Sequence, residues 1–165
     1  MQFKTLEDKC KFYRELTDYR LMPKSYVIVS LDGRSFSNFV KKQFDLPFDD
    51  KFIHFMNETT KYVCNNVSNC KFAYTQSDEI SLVLADIGDN DTDTFFGNRL
   101  CKLQSIIASL ATGKFNQLMM IDLLLIIDDE YEKMDAIANQ RLVQFDCRAW
   151  NVPDDNELYC YFLWR

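Results

Sequence analysis

The order of the short apolar runs along the chain constrains the fold more than any other feature of the sequence. Residues 25–31 (SYVIVSL) are apolar, rich in β-branched side chains and too few for a stable helix, which is typical of a buried strand. Further runs of this kind predict strands at residues 71–74, 80–84 and 142–149. Apolar residues at helical spacing predict helices at residues 6–20, 50–66, 95–116, 118–134 and 155–164.

With the first helix set aside, these elements follow the order strand, helix, strand, strand, helix, strand. This is the order of the split βαβ, or ferredoxin-like, motif. The sequence therefore predicts an α+β fold, with a four-stranded antiparallel sheet, helices packed on one face, and the other face open to host a site. The chain has the length of one domain. We expect an N-terminal helix at residues 6–20, a core at residues 25–150 and the start of a C-terminal helical segment at residues 155–165.

Composition argues against several classes of protein. The chain is 47% hydrophobic and 27% charged, as globular proteins are, and its longest apolar stretch, residues 118–127, is about half of the ~20 residues that a membrane span needs. The six cysteines form no C-x-x-C pair and His54 is the only histidine, so a structural zinc site lacks its usual ligand spacing. Because free thiols are typical of reducing compartments and the N-terminus does not resemble a signal peptide, we expect a cytoplasmic protein without a membrane anchor.

The charge distribution is uneven. A net charge of −6 argues against a protein that holds nucleic acid mainly through bulk electrostatic attraction, because phosphate binding is driven by cations. Six Lys and Arg residues nevertheless lie within the first 24 residues, which predicts a weak basic edge near the N-terminus. The acidic stretch at residues 88–94 predicts an exposed loop.

Two aspartates stand where this fold brings strand ends together. Asp32 ends the first strand and Asp78 lies in the hairpin between the second and third strands, so their carboxylates can face each other although 46 residues separate them. Two acids at such range repel each other, and a divalent cation removes the conflict. Oxygen ligands suit Mg²⁺, and Gly33, which has no Cβ, lets the backbone approach a metal or a phosphate closely. The alternative is that residues 32–33 form a turn and residues 77–78 the end of a hairpin.

Two segments of the chain resemble a family of known enzymes. Residues 32–36 (DGRSF) directly follow an apolar strand, and residues 73–81 (AYTQSDEIS) span the predicted hairpin. Both resemble the histidine-tRNA guanylyltransferases and their tRNA-repair relatives, the 3′–5′ nucleotide polymerases. The similarity continues in order along nearly the whole chain, through Phe44, Pro47-Phe48-Asp49, Met56-Asn57-Glu58, Arg99, Lys102, Phe145-Asp146-Cys147-Arg148 and Tyr161-Phe162-Leu163-Trp164-Arg165.

The resemblance implies a polymerase-type palm built on the split βαβ core. Within it, two Mg²⁺ ions would be held by Asp32, Asp78 and the carbonyl group of Gly33. Glu79 would be a further catalytic residue, although strand alternation places its side chain opposite that of Asp78. The nucleotide-binding residues carried over from the family are Gly33, Arg34, Ser35, Phe36, Ser37, Asp49, Ser77, Arg99 and Lys102.

The roles implied for these nucleotide-binding residues differ. Residues 34–37 would follow the triphosphate with their backbone amides, and Asp49 would border that site. Arg99 and Lys102 would neutralise phosphates, which is compatible with their spacing because residues three apart share a helix face. Without the resemblance, those two residues are equally well explained as part of a solvated helix face.

The resemblance also implies a reaction. Members of the family commonly activate a 5′-monophosphorylated tRNA with ATP, and the 3′-hydroxyl group of an incoming nucleotide then attacks the adenylylated 5′ phosphate. A 5′-triphosphorylated end can skip the first step. The resemblance therefore implies a nucleotidyltransferase whose partners are tRNA, ATP, GTP and other nucleoside triphosphates, and which forms a homotetramer, as is usual in the family.

The chain departs from the family pattern at three places. Ser37 and Leu46 stand where enzymes that act on histidine tRNA often carry histidine and lysine, and the sequence stops at Arg165, before a His-Asn-Asn stretch of the family. We therefore expect a fragment or an unusually short protein, and tRNA 5′-end repair rather than dedicated addition of G to histidine tRNA. A palm remnant that binds RNA without catalysis is the alternative from another class, and it does not explain paired acids. A nucleotidyl cyclase would carry glycines in the hairpin at residues 75–79, where this chain has none.

Overall fold

The sheet of this protein has four strands. In the computed structural model, which describes residues 3–45, 47–87 and 94–165, the strands are β1 (Tyr26–Gly33), β2 (Cys70–Gln76), β3 (Glu79–Ala85) and β4 (Phe145–Val152). All neighbouring strands run antiparallel, in the order β2-β3-β1-β4. This is the strand order of a split βαβ unit, so the predicted α+β fold is confirmed. The predicted acidic loop at residues 88–94 lies, apart from Thr94, outside the described residues.

Six α-helices accompany the sheet within the described ranges. They are α1 (Leu6–Glu15), α2 (Phe36–Gln43), α3 (Asp50–Asn66), α4 (Leu100–Ile126), α5 (Glu130–Asn139) and α6 (Asp155–Trp164), with a short 3₁₀ turn at Phe95–Asn98 before α4. In the part of the chain that the structure describes, none of these helices combines the length and the apolar composition needed to cross a bilayer.

The main core lies between one face of the sheet and the helices α3 and α4. Alternate side chains of the two central strands point into it, since successive residues of a strand face opposite sides. Those fully buried on this face are Val29, Leu31, Ile80 and Leu82. Val63 of α3 and Leu103, Ile107 and Phe115 of α4 pack against them. The predicted inward face of the second helix (Phe52, Phe55, Met56, Thr59 and Val63) is buried as expected.

The helix α2 is absent from the sequence-based prediction. Its eight residues carry the buried side chains Phe36, Phe39 and Val40, and an isolated helix of this length is unstable in water. Aromatic packing supplies the stability instead, because the Phe36 ring lies 5.0 Å from that of Phe145 and 5.4 Å from that of Phe115. Contacts so distant in sequence leave no local pattern from which α2 could be predicted.

Several predicted boundaries were also wrong. Residues 95–98 form a 3₁₀ turn, and α4 then continues without a break to Ile126, because Met119 extends its buried stripe beyond the predicted end at residue 116. The strand β4 starts at Phe145, three residues later than predicted. Helix α1 stops at Glu15, five residues before its predicted end, and buries no side chain; Leu16 and Tyr19, beyond its end, are exposed.

The sequence predicts that the second face of the sheet is open, but in the structure α6 partly covers it. The Tyr161 hydroxyl group lies 2.7 Å from that of Ser81, a buried residue of β3. The ring of Phe162 packs edge-on against Phe72 of β2, with centroids 5.1 Å apart, and Tyr161 contacts Trp150 of β4 in the same way. The predicted helical segment at residues 155–164 is therefore correct, but its position leaves only the end of the sheet near Asp32 for a site.

Replacing Gly33 by alanine is expected to destabilise the protein by about 1–3 kcal/mol. A Cβ atom at this position would lie 2.3 Å from the Phe36 ring, which is buried among other aromatic rings and has no room to move. Urea denaturation measures the loss. As a matched control, Gly113→Ala in the interior of α4 meets no atom within 4 Å and should stabilise the protein by up to ~1 kcal/mol. Equal stability of Gly33→Ala and the unsubstituted protein would contradict the expectation.

Candidate active site

Three carboxylates lie in a row across the end of the sheet. Asp32 of β1 pairs with Glu79 of β3 on one side and with Asp146 of β4 on the other. Directly opposed residues of antiparallel strands point to the same face, so all three side chains lie on the face that α6 covers further along. Asp146 belongs to a segment that resembles the family, but its place in this row could not be predicted, because the register of β4 against β1 cannot be read from the sequence.

Asp78 joins this row from the tight turn between β2 and β3. The backbone amide of Gly33 donates a hydrogen bond of 3.1 Å to the carbonyl oxygen of Asp78, so the end of β1 and the hairpin turn are adjacent, as predicted. The hydroxyl group of Ser77 donates to Asp78 Oδ1 at 3.0 Å and orients this carboxylate. Ser77 has a φ of +54°, and side-chain-bearing residues are held in this region mainly where the surrounding structure requires it.

The crowding of acids is visible in the electrostatics of Asp32. Partial desolvation at the strand end raises the pKa of its carboxyl group, and the negative charges of Asp78 and Asp146 raise it further. Arg148 and Arg165 act in the opposite direction but do not cancel these effects. The charged form of Asp32 is therefore disfavoured, and a bound cation would favour it.

The donor set available to a metal consists of oxygen atoms. Among the described residues, no group of three or more His, Cys, Asp or Glu side chains is arranged to hold a metal ion. A metal site at this end of the sheet would therefore use one or two carboxylates, backbone carbonyl groups and water. This arrangement fits Mg²⁺, which keeps several of its water ligands, and does not fit zinc.

A cavity of about 490 Å³ opens next to the hairpin turn, between α2, α3 and the ends of β2 and β3. Five residues predicted from the sequence line it: Phe36, Ser37, Asp49, Ser77 and Asp78. Its lining also contains polar side chains that were not predicted as site residues, namely Lys41, Asn57, Thr75 and Gln76. Lys41 lies one helical turn after Ser37, and Thr75 and Gln76 directly precede Ser77 at the end of β2. Periodicity applied to α2, had that helix been predicted, would have found Lys41.

The first turn of α2 borders this cavity. Ser35 precedes the helix with a φ of +59°, and its side chain makes no capping hydrogen bond. The first amides of a helix have no partner within the helix, so those of α2 are left for an outside acceptor, and the helix dipole favours an anion there. Phe36 and Ser37, which carry two of these amides, both line the cavity.

Arg34 is oriented differently from the predicted arrangement. Its backbone amide donates to the carbonyl oxygen of Gln144 at 2.8 Å, and its guanidinium Nη1 donates to Gln144 Oε1 at 2.8 Å. Its side chain lies beside Asp146 in a separate, shallower depression. Arg34 therefore connects β1 to the segment before β4 and does not line the large cavity.

Asp49 has a structural role that accounts for its position. Its side chain accepts hydrogen bonds from the amides of Asp45 and Phe52, at 2.9 Å and 2.8 Å, and caps α3. These amides lower the pKa of its carboxyl group. Asp49 borders the cavity as a firmly held anion.

Arg99 and Lys102 do not lie near Asp32 within one chain. The backbone of Arg99 forms an isolated β-bridge with that of Arg20, at the end of the sheet where β1 begins. Its guanidinium Nε forms an ion pair of 2.9 Å with the Asp18 carboxylate. Thr112, which contacts Phe145 beside Gly33, is thirteen residues further along α4 than Arg99, a separation of roughly 20 Å at 1.5 Å per residue. The structure therefore brings Asp32 next to Asp78, which lines the cavity, although Asp32 itself does not, and it leaves these two cations at the opposite end.

The sequence and the fold both match known proteins. A family model described as tRNAHis guanylyltransferase (Thg1) matches residues 7–153. The chain belongs to this family. Its Thg1 relatives include a probable tRNA(His) guanylyltransferase of Bos taurus, 35% identical over 164 residues, which are 96% of this chain and 49% of the relative. The R259 protein of Acanthamoeba polyphaga mimivirus, whose function is uncharacterised, is 30% identical over 169 residues, 96% of this chain and 56% of the relative. The family resemblance predicted from the sequence is confirmed.

Solved structures of the Thg1 family share the architecture. A bacterial Thg1-like protein in complex with ATP matches with a TM-score of 0.82 and 32% identity, over 98% of this chain and 63% of that protein. The Saccharomyces cerevisiae tRNA(His) guanylyltransferase shows the same fold, with a TM-score of 0.73 and 24% identity. The match covers 93% of this chain and 62% of the yeast chain. This chain spans about half the length of the curated relatives it matches.

Proposed function

We propose that this Thg1-family chain is a metal-dependent 3′–5′ nucleotidyltransferase that adds nucleotides to the 5′ end of tRNA. The observation that carries the proposal is the meeting of Asp32 and Asp78 beside a cavity large enough for a nucleotide. Relatives named as tRNA(His) guanylyltransferases, and a Thg1-like protein in complex with ATP and with GTP, support the substrate classes tRNA, ATP, GTP and other nucleoside triphosphates. An RNA-binding palm remnant would have no use for the crowded acids.

Two Mg²⁺ ions are the cofactors that the site fits. Asp32, Asp78 and the carbonyl group of Gly33 would hold them, and their positive charge would lower the pKa of an attacking hydroxyl group and stabilise a leaving pyrophosphate. The raised pKa of Asp32 supports this assignment, because burial and negative neighbours disfavour its charged form in the absence of a cation.

The chain's own residues would bind and orient the triphosphate. The free amides at the start of α2, at Phe36 and Ser37, offer donors and a positive helix end to the phosphates. The nucleoside would occupy the cavity, with Lys41 and Asn57 at its wall. Ser77 would keep the Asp78 carboxylate in place through its hydroxyl group. In the first step ATP would activate a 5′-monophosphate, and in the second a nucleotide 3′-hydroxyl group would displace the AMP.

We propose 5′-end repair rather than dedicated addition of G to histidine tRNA. Ser37 lines the cavity at a position where histidine-tRNA enzymes often carry histidine, and Leu46 replaces their lysine. A 5′-extension assay tests both functions, with the purified chain, Mg²⁺, ATP, the four nucleoside triphosphates, a tRNA that lacks its first 5′ nucleotide, and intact histidine tRNA. Templated extension of the truncated tRNA is the expected result. Addition of one G to histidine tRNA alone would favour the dedicated enzyme, and no extension of either would contradict the proposed function.

The proposed metal site predicts a pH dependence. Protons compete with Mg²⁺ for Asp32, and the raised pKa of this group means that binding is lost at a higher pH than at an ordinary aspartate. The charges of Asp78 and Asp146 both raise this pKa, and Asp146→Asn removes one of them while Asp78, Arg148, Arg165 and Glu79 keep theirs. The pH below which Mg²⁺ binding is lost, measured by calorimetry over a pH series, should therefore become lower. Asp128→Asn, at an exposed position between α4 and α5, should leave this pH unchanged, and an unchanged value in Asp146→Asn would contradict the prediction.

A role for Arg99 and Lys102 in nucleotide binding requires a second chain, because both lie near the start of α4, at the opposite end of the sheet from Asp32. We therefore propose this role only for an assembled oligomer, in line with the homotetramer that the resemblance implies. Sedimentation analysis of the chain with and without tRNA tests the assembly. A monomer that extends tRNA with full activity would remove both residues from the site.

We also propose that residues 1–165 act as one palm-type catalytic domain. A single core cluster joins all four strands to α2, α3 and α4. All six cysteines are free thiols, which supports a reducing compartment such as the cytoplasm.

A further inference from the structure

The last turn of α6 reaches the row of carboxylates at the end of the sheet. On β3, Glu79 and Ser81 lie on the same face, two residues apart. The hydrogen bond between Tyr161 and Ser81, together with the packing of Phe162 on Phe72, holds α6 above this face. Arg165, which directly follows α6, is thereby brought beside Glu79.

Arg165 forms an ion pair with Glu79 that is largely shielded from water. Its Nη2 atom contacts the Glu79 carboxylate, and its side chain is only 11% exposed, compared with 35% for Glu79. The guanidinium also lies over the ring of Trp164, with Cζ 5.1 Å from the centroid. Shielding a charged group from water to this degree costs free energy unless an opposite charge pairs with it. Arg165 therefore depends on Glu79 as its partner.

This pairing changes the number of free acids near Asp32. Glu79 stands directly opposite Asp32 on the neighbouring strand, with Asp146 on the other side and Asp78 in the adjacent turn. A free Glu79 would add another negative charge to this group, which would attract cations and repel a triphosphate. With Arg165 attached, the Glu79 carboxylate is neutralised and oriented towards α6.

Resting on the proposed function, we infer that Arg165 is a positioning residue that withdraws Glu79 from the metal site and balances its charge, so that the cation is left to Asp32 and Asp78, with Asp146 beside them. Glu79 is then the anchor of Arg165 and not a third metal ligand. The ion pair sets the relative affinity of the site for the metal and the nucleotide. It neutralises the Glu79 carboxylate, which would otherwise attract the cation and repel the triphosphate.

Three variants test this role through binding. Arg165→Met frees the Glu79 charge and should tighten Mg²⁺ binding about three- to tenfold while weakening ATP binding by a similar factor. Glu79→Gln leaves Arg165 unpaired and should shift both affinities in the opposite direction. The double variant Glu79→Gln/Arg165→Met restores the local charge and should return both affinities to within about twofold of the unsubstituted protein. Calorimetric titration with Mg²⁺ alone, and with ATP in a separate series, measures the shifts.

Controls separate this role from a structural one. Arg165→Lys keeps the charge and should change neither affinity, and Arg141→Met, at an exposed position between α5 and β4, should likewise have no effect. If Mg²⁺ binding is weaker in Arg165→Met, in Glu79→Gln and in the double variant, Glu79 is a metal ligand or Arg165 is only structural. If the affinities do not change, the ion pair has no role in binding. Either result overturns the inference. If Arg165→Met does not fold, Glu79→Gln and Arg165→Lys decide.

The same titrations distinguish failure of this inference from failure of the proposed function. If the unsubstituted protein shows no Mg²⁺ binding that Asp32→Ala removes, the proposed metal site is wrong and the role of Arg165 is overturned with it. If that binding is present but insensitive to the charge at positions 79 and 165, only the role of Arg165 is overturned.

Discussion

Replacing Asp32 or Asp78 by alanine is expected to lower the rate of 5′-nucleotide addition by about 1,000-fold or more while leaving the fold intact. Each variant removes one carboxylate from the proposed metal site, and the charge stabilisation that the metal supplies is worth several kcal/mol, with each 1.36 kcal/mol equal to a factor of ten in rate. The measurement is 5′ extension of a tRNA that lacks its first nucleotide. The two side chains should act as a unit, so the double variant should be hardly slower than either single variant.

The fold should survive these changes. The Asp32 side chain is exposed, and Asp78 lies in a two-residue turn whose connection to Gly33 runs through the backbone carbonyl oxygen of Asp78, which alanine retains. Removing a crowded negative charge also relieves repulsion, so thermal unfolding of both variants should occur at or slightly above the temperature of the unsubstituted protein. Asp128→Ala, in an exposed turn away from the site, is the matched control and should be fully active. Substantial activity in both Asp32→Ala and Asp78→Ala would remove the two-metal assignment.

Phe36→Ala is expected to destabilise the protein by about 3–5 kcal/mol, which is enough to unfold a large part of the population of a marginally stable domain. The Phe36 side chain is 1% exposed and forms the centre of an aromatic cluster. Its ring centroid lies between 5.0 and 6.4 Å from those of Phe39, Phe52, Phe115 and Phe145. The ring also packs directly on Gly33. Its loss would leave a cavity that joins the core to the proposed nucleotide site.

Urea denaturation followed by far-ultraviolet circular dichroism measures the effect of Phe36→Ala. Phe48→Ala is the matched control, since Phe48 is 84% exposed and its removal should change the free energy of unfolding by less than about 0.5 kcal/mol. Phe36→Leu fills part of the cavity and should recover part of the lost stability. A Phe36→Ala variant as stable as Phe48→Ala would show that the aromatic cluster does not hold α2 against the sheet.

Much of the architecture could be predicted from local pattern. The run before Asp32 is a strand by composition, the inward face of α3 follows helical spacing, and Asp49 caps α3 as its residue type favours. Such features depend on residues that are close in sequence. The misplaced features depend on distant contacts: α2 is stabilised by Phe115 and Phe145, and α4 is extended beyond residue 116 by the burial of Met119.

The candidate site divides in the same way. The acids Asp32 and Asp78 could be predicted because the topology of a split βαβ unit brings the end of β1 to the β2–β3 turn, which the hydrogen bond from Gly33 to Asp78 reflects. The place of Asp146 could not be predicted, because a strand register is set by pairing across the sheet, and a shift of one residue would turn the side chain to the other face. The place of Arg99 at the opposite end of the sheet could not be predicted either, because helix spacing gives a face and not a distance from the site.

The order of the elements, the two acids at strand ends and the family follow from the sequence alone, because each of these is carried by neighbouring residues. Which charges meet is set by the tertiary structure. It pairs Arg165 with Glu79, places Asp146 beside Asp32 and puts Arg99 at the far end of the sheet. Coulomb interactions depend on separation in space, and for residues far apart in the sequence this separation is set by how the helices pack on the sheet.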